Sequence, residues 1–232
     1  MNSQLDLKCM QSCTYTIKLL SSRPWFKKLI HIVPLLYPHD DVHGLGHVLR
    51  VFCLATCIAI AEGADLDIVA AAALLHDIGR LVENHMQVHH AIISANMASE
   101  LLSAVGFPEH KIDAVKRAIL AHSYSLKLAP RSVEECCVSD ADKLDALGAI
   151  GVYRTIATNV LRGNNLNSII EHFVEKLSKL EQLMCTRTGK KIARQRQKFI
   201  NEFFENLRSE ISLGEEAYNT IRDLVKIWST KP

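Results

Sequence analysis

Apolar residues along this chain recur three and four positions apart, and strand-like alternation bounded by turn signals is nearly absent. The fold class expected is therefore all-α. The pattern predicts a first helix near Leu5 to Leu20 and a second starting at Pro24, which Pro34 and Pro38 disrupt. A strongly apolar helix follows over His43 to Glu62, stopped by Gly63. Asp65 is a good N-cap for the next helix, Leu66 to Ile78, whose alanine-rich and nearly all-apolar sequence implies burial on most sides, with Gly79 as its C-cap. Val88 to Val105 reads as a helix closed by Gly106, and Pro108 with Glu109 starts another that runs to about His122. A polar loop then passes Pro130. Asp140 to Arg162 reads as one helix despite Gly148 and Gly151, small residues that let a neighbouring backbone approach. After a break at Asn164 and Asn165, two or three amphipathic helices fill the remainder, about 166–185, 188–210 and 215–229.

The chain has 232 residues, 48% of them apolar and 22% charged, which places it with ordinary globular proteins and rules out disorder as its main theme. A chain of this length buries roughly 70% of the surface its unfolded form exposes, so it needs no disulfide or structural metal merely to fold. The 27 basic and 25 acidic side chains leave a formal charge of +2, so no global field points to nucleic acid or an acidic membrane. The longest strongly apolar stretch, Val51 to Ala61, is interrupted by Thr56 and falls short of the roughly 18 to 20 residues of a membrane span. The first residues are acidic and polar where a secretory signal places an apolar run. The expectation is a soluble cytoplasmic protein.

Seven cysteines stand as three close pairs, Cys9/Cys13, Cys53/Cys57 and Cys136/Cys137, with Cys185 alone, and no CxxC occurs. The i,i+4 pairs suit a soft metal in principle. The expectation is that the set fills the core as small apolar groups in a reducing compartment.

Histidine and aspartate are spread unevenly. Four places stand out: His47 in HGLGHVLRV, the adjacent His76 and Asp77 in ALLHDIGR, and Asp142 in SDADKLDALGA. Two imidazoles and two carboxylates suit a borderline or hard divalent ion and leave room for water and substrate oxygens on a six-coordinate metal. A single buried histidine usually packs or caps. Here the ordered set lies on three otherwise apolar helices, and a metal offsets the cost of placing Asp77 in a low-dielectric setting.

These motifs, with the HHAIISANMASELL helix, KIDAVKRAILAHSYS and SDADKLDALGAIGVYR, resemble the HD-domain metal-dependent phosphohydrolases. The likeness covers about residues 40–210, and TRTGKKIARQRQKFINEFFENL looks like the basic C-terminal helix of one bacterial-type branch of small HD hydrolases. The resemblance implies an HD-domain helical bundle as one domain over 1–232. Its metal-binding core is expected at about 40–162, with C-terminal helices at about 166–229 packed on it. It implies His47, His76, Asp77 and Asp142 as metal ligands. The implied activity is hydrolysis of a phosphate ester or anhydride of a nucleotide by a metal-activated water. Manganese is the first choice of divalent ion, with magnesium, cobalt, nickel, iron and zinc open.

Around that set, Arg50 lies three residues after His47 and is a candidate catalytic or substrate-binding fork for a phosphate oxygen; its alternative is an ion pair to Asp142 or Asp145. Lys143 and Asp145 are candidate substrate contacts, as are His90 and His122, which alternatively complete a second metal site of the kind some HD proteins have. His43 is placed to orient the ligands by hydrogen bonding, and Glu83 to act as general acid or base. Tyr153 and Arg154 are either base or ribose contacts or an ordinary packed tyrosine with a surface arginine. The extra histidines His85 and His89 complete the inventory.

Arg187 to Lys198 holds six basic residues in twelve, yet Ile192, Phe199, Ile200, Phe203 and Phe204 supply an apolar stripe, so the charges read as the solvated face of a packed helix rather than a nucleic-acid site. The expected partner is a small phosphorylated molecule, with no membrane. A homodimer through the apolar helices near the termini is left open. Two rival functions belong to other classes: a non-catalytic metal and nucleotide sensor, and a non-haem iron oxygenase.

Overall fold

The computed structural model describes residues 4–229, and every regular element among them is helical. The order is α1 (Gln4–Leu20), α2 (Pro24–Ile32), α3 (Leu45–Glu62), α4 (Leu66–Leu75), α5 (Glu83–Met86), α6 (His90–Val105), α7 (Glu109–His122), α8 (Val133–Asp145), α9 (Gly148–Leu161), α10 (Leu166–Glu175) and α11 (Arg187–Ser229), joined by short 3-10 turns. The all-α class holds.

Helix α4 is the hub. Its alanine run, Ala70 to Ala73, is fully buried with Leu74 and Leu75, because small side chains let α3, α7 and α8 close around it. Asp65 caps its start by accepting from the backbone N–H of Asp67 and Ile68. Helix α3 is the second core element. It has 18 residues and a mean hydropathy of 1.6, enough by length and composition to cross a membrane and longer than the Val51–Ala61 stretch. Its packing against α1, α4 and α8 buries 56% of it inside the bundle.

Three expectations change. Asp140 to Arg162 is two helices: α8 starts earlier, at Val133 behind its N-cap Ser132, and ends at Asp145, and Gly148 takes a left-handed φ of 71° at the turn into α9. Gly214 does not break the last segment, and α11 runs unbroken for 43 residues. Ile192, Ala193, Ile200 and Phe204 of α11 are buried, whereas residues 208–223 are mostly exposed.

The cysteines are the third correction. Cys9 is bonded to Cys57 and Cys13 to Cys53, two disulfides that tie α1 to α3. Cys136, Cys137 and Cys185 are free. The i,i+4 pairs look unremarkable one helix at a time; their match is across an antiparallel seam, where each pair meets the other. The case for a reducing compartment built on seven thiols therefore falls away.

Two glycines set the approach to the site. A Cβ on Gly44 would lie 2.1 Å from the Pro38 carbonyl oxygen, so the loop before α3 folds tightly over its first turn, where Asp40 accepts from the backbone of Val42, His43 and Gly44. A Cβ on Gly79 would lie 2.5 Å from the His90 carbonyl oxygen. The absence of that atom lets α6 start against the turn after Asp77, and the Gly79 N–H donates to Ser94 Oγ at 2.9 Å.

Candidate metal centre

The ends of three core helices meet at one point. His47 comes from the first turn of α3, His76 and Asp77 from the end of α4, and Asp142 from the last turns of α8. The Nε2 of His47 lies 3.2 Å from His76 Nε2, 3.5 Å from Asp142 Oδ1 and 3.8 Å from Asp77 Oδ2, and His76 Nε2 is 3.7 Å from the same Asp77 oxygen. His47, His76 and Asp77 are buried, whereas the Asp142 side chain is 29% exposed and marks the open side.

Every imidazole in this cluster is held by its other nitrogen. His47 Nδ1 donates to Asp145 Oδ2 at 2.8 Å, His76 Nδ1 donates to the Ala73 carbonyl at 2.8 Å, and His122 Nδ1 donates to the Ile119 carbonyl. Fixing the proton on Nδ1 leaves the Nε2 lone pair free and aimed inward, which is how histidines are prepared for a metal. Burial pushes His76 down to about 3, so it is neutral. Burial alone would raise the Asp77 and Asp142 carboxyls, but for Asp77 the neighbouring His76, Arg80 and His122, and for Asp142 the histidines His122, His47 and His76, hold both below the usual range. Neutral imidazoles and ionised carboxylates are the donor set of a divalent ion.

Asp77 faces two ways. Its Oδ2 points to the four-donor cluster and also receives the Arg80 guanidinium. Its Oδ1 is buried without a hydrogen-bond partner, 3.5 Å from His90 Nε2 and 3.5 Å from His122 Nε2, and His90 Nε2 is itself unpartnered. Buried polar atoms left unsatisfied in a pocket of donors call for an ion or a ligand group. His47, His76 and Asp142 form one candidate metal group, His76, Asp77 and His122 a second, and Glu83, His89 and His90 a third at the edge. The residues present fit a divalent metal.

The surrounding candidates take other roles. Arg50, a candidate for phosphate, donates instead to Asp145 at 2.7 and 3.1 Å and to the Asp41 carbonyl at 2.7 Å, its alternative ion-pair role. Asp145, a candidate substrate contact, is buried and accepts from His47, Arg50 and Arg154, and although burial would raise it these bonds bring it to about 2. His43 does not orient His47; Asp145 does, while the His43 ring lies edge-on to His47 and 3.4 Å from Arg154 Nη2. Glu83 Oε1 accepts from the backbone N–H and Nδ1 of His90, both at 3.1 Å, so it positions His90 rather than standing free as an acid or base. Lys143 folds back on its own helix to Ser139. Tyr153 is 50% exposed, and Arg154, far from being a surface arginine, bridges Asp145, at 3.0 Å, and the Val42 carbonyl, at 2.7 Å.

Arg80, with Arg50 and Lys143 one of the basic residues near the ligands that the sequence offers in favour of phosphate, is joined here by a cation it did not single out, Lys176. Arg80 covers Asp77. Lys176, after α10, places its Nζ 5.9 Å from the centre of the Tyr124 ring, where burial lowers its pKa and Asp142, Arg154 and Arg80 are the charges it feels. Arg80 lies three residues after Asp77 and was legible; Lys176 arrives by tertiary packing and carried no local signal.

An all-α bundle whose helix ends converge two histidines and two aspartates defines the HD class of protein. The HD-domain family model matches residues 44–147. YpgQ of Bacillus subtilis is 33% identical over 185 residues, which are 76% of this chain and 88% of that one. The crystal structure of Bacillus subtilis YpgQ in complex with ADP superposes with a TM-score of 0.67 at 29% identity, covering 81% of this chain and 96% of that one. A predicted HD superfamily hydrolase from an uncultured Thermotogales bacterium does so with a TM-score of 0.64 at 30% identity, covering 84% and 98%. The chain belongs to the HD superfamily of hydrolases.

Proposed function

We propose that this protein hydrolyses a phosphate ester or anhydride of a nucleotide, using a divalent ion held by His47, His76, Asp77 and Asp142. The observation that carries the reading is the convergence of those four donors beside buried, unpartnered Asp77 Oδ1 and His90 Nε2. A bound ion supplies a Lewis acid and an acidified water, and manganese is the first choice among those the mixed nitrogen and oxygen donors accept.

The protein's own groups supply the rest. Asp145 and the Ala73 carbonyl keep His47 and His76 in the ligating tautomer. Arg80, Arg154 and Lys176 make the open side of the site cationic, which suits the charge of a phosphate and its growth in the transition state. His122 Nε2 and His90 Nε2, the latter ring held by Glu83, both face Asp77 Oδ1 and line the point where a phosphoryl oxygen would sit. The ADP complex of YpgQ supports a nucleotide as the ligand.

The test is a panel of nucleoside mono-, di- and triphosphates incubated with chelator-stripped protein reloaded with single divalent metals, with phosphate and pyrophosphate release followed separately. Metal-restored turnover of at least one nucleotide is the expected result. Tight nucleotide binding with no release under any metal would transfer the site to a sensor, and oxygen consumption by the iron-loaded form would transfer it to oxygen chemistry.

A further inference from the structure

The basic run Arg187 to Lys198 that opens α11 divides into two sets. Arg194 is paired with Glu181 at 3.2 Å, Arg196 with Asp6 at 3.0 Å and Lys198 with Glu202 at 3.8 Å. Arg187, Lys190 and Lys191 form no ion pair of this kind among the described residues. Arg187 and Lys191, one turn apart, line a cavity of about 430 Å³ between α1, α3 and α11. Lys8 and Ser12, also one turn apart, line it from α1, and the Cys9–Cys57 disulfide on the same lining ties α1 to α3 and so fixes Lys8 beside the cavity.

Lys8, Arg187 and Lys191 against the single carboxylate of Glu62 leave this lining with a charge of +2. Glu62 is itself occupied. Its Oε1 accepts from the Thr188 N–H at 2.8 Å, at the start of α11, and the Thr188 hydroxyl bonds the same carboxylate. A concavity lined by one sign of charge concentrates the opposite sign. The rest of the wall is apolar, with Ile60, Ala61 and Ile192 beside the disulfide. A phosphate monoester matches both parts: it brings close to two negative charges and three acceptor oxygens, and its organic body rests on the apolar wall. The volume is that of a small-molecule site. The cavity is separate from the metal centre, since His47 lies in the first turn of α3 and Glu62 is its last residue, about 22 Å along the helix. We propose that the cavity between α1, α3 and α11 is a second ligand site, which binds a small phosphate monoester through Lys8, Arg187 and Lys191 with the Ser12 hydroxyl as a further donor. The proposal is independent of the reaction at the metal centre.

The experiment is calorimetric titration of phenyl phosphate into the chelator-stripped full chain in about 0.15 M salt, which screens exposed charges more than about 8 Å apart. Saturable binding is the expected result, with phenyl sulfate, which carries one charge instead of two, bound more weakly. Lys191→Glu is expected to weaken phenyl phosphate at least tenfold. Lys190→Glu makes the same change of charge one residue away and outside the lining, and is expected to cost less than twofold. Lys176→Met, at the metal centre, is expected to leave this binding unchanged, and melting curves show that each variant is folded. Absence of saturable binding to the wild type would overturn the proposal, as would equal losses in Lys190→Glu and Lys191→Glu, or binding lost in Lys176→Met and kept in Lys191→Glu. Binding to phosphatidic-acid vesicles or to a single-stranded oligonucleotide, with none to phenyl phosphate, would overturn the small molecule as occupant.

Discussion

His47 Nδ1 donates to Asp145 Oδ2 across 2.8 Å, and Asp145 lies three residues beyond Asp142 on α8. One helix thus supplies both a ligand and the group that aims another ligand from α3. Replacing Asp145 by Asn keeps the shape but weakens the hold on the imidazole, and such substitutions typically cost roughly 10- to 100-fold in metal affinity. Calorimetric titration of manganese into Asp145→Asn is expected to show a loss in that range with the fold intact. Unchanged affinity would remove Asp145 from the centre's design.

The disulfides between α1 and α3 close loops of 48 and 40 residues in sequence. A crosslink of that kind contributes about 2–4 kcal/mol by restricting the unfolded chain, and two nested ones contribute less than twice that. Reduction is expected to lower the melting temperature by roughly 4–15 °C for a chain of this size. Intact-mass analysis of alkylated, unreduced protein is expected to find three labelled thiols, Cys136, Cys137 and Cys185, and seven labelled would contradict the pairing.

Acidification is expected to destabilise the metal-free protein. Burial lowers His76 to about 3, and burial together with neighbouring cations lowers His90 and His43 to about 4. Between pH 6.5 and those values the unfolded chain binds protons that the folded one refuses, so stability falls as pH falls through that window. The fully buried His76 alone accounts for about 2 kcal/mol between pH 7 and 5. His122 is raised, so its stabilisation is complete below pH 6.5 and is lost on the alkaline side; it opposes the trend without reversing three groups. The acidic residues of the site are lowered from 3.8 and act only below this window. Melting curves in chelator at pH 7.5 and 5 check the sign, and greater stability at pH 5 would contradict it.

How much of this was legible depended on the range of each interaction. The ligand set was readable because HGLGH, LLHDIG and SDADKLD each put a ligand beside apolar residues that could only be core, and the bundle brings the four together. The helix starts at Leu66 and Glu109 were readable, the first from the Asp65 cap and the second from Pro108 before Glu109. Arg50 was ambiguous because its choice between phosphate and carboxylate depends on where α8 lies, and α8 places Asp145 against it. The disulfides were missed for the same reason, since only the antiparallel register of α1 on α3 pairs Cys9 with Cys57 and Cys13 with Cys53. Asp140 is a further case: its carboxylate accepts from Cys185 and Thr186 backbone N–H groups at 3.0 and 2.8 Å and seats the start of α11, a contact across 46 residues that no local pattern announces.

The central claim is that His47, His76, Asp77 and Asp142 bind the ion on which phosphate hydrolysis depends. The most direct test titrates manganese into chelator-stripped protein and reads bound metal and nucleotide turnover in the same samples, for the wild type and for Asp77→Ala. The account predicts that turnover rises with occupancy in the wild type, and that Asp77→Ala loses both metal binding and turnover while remaining folded. Turnover that persists in the metal-free wild type, or metal-dependent turnover that survives in Asp77→Ala, would contradict it.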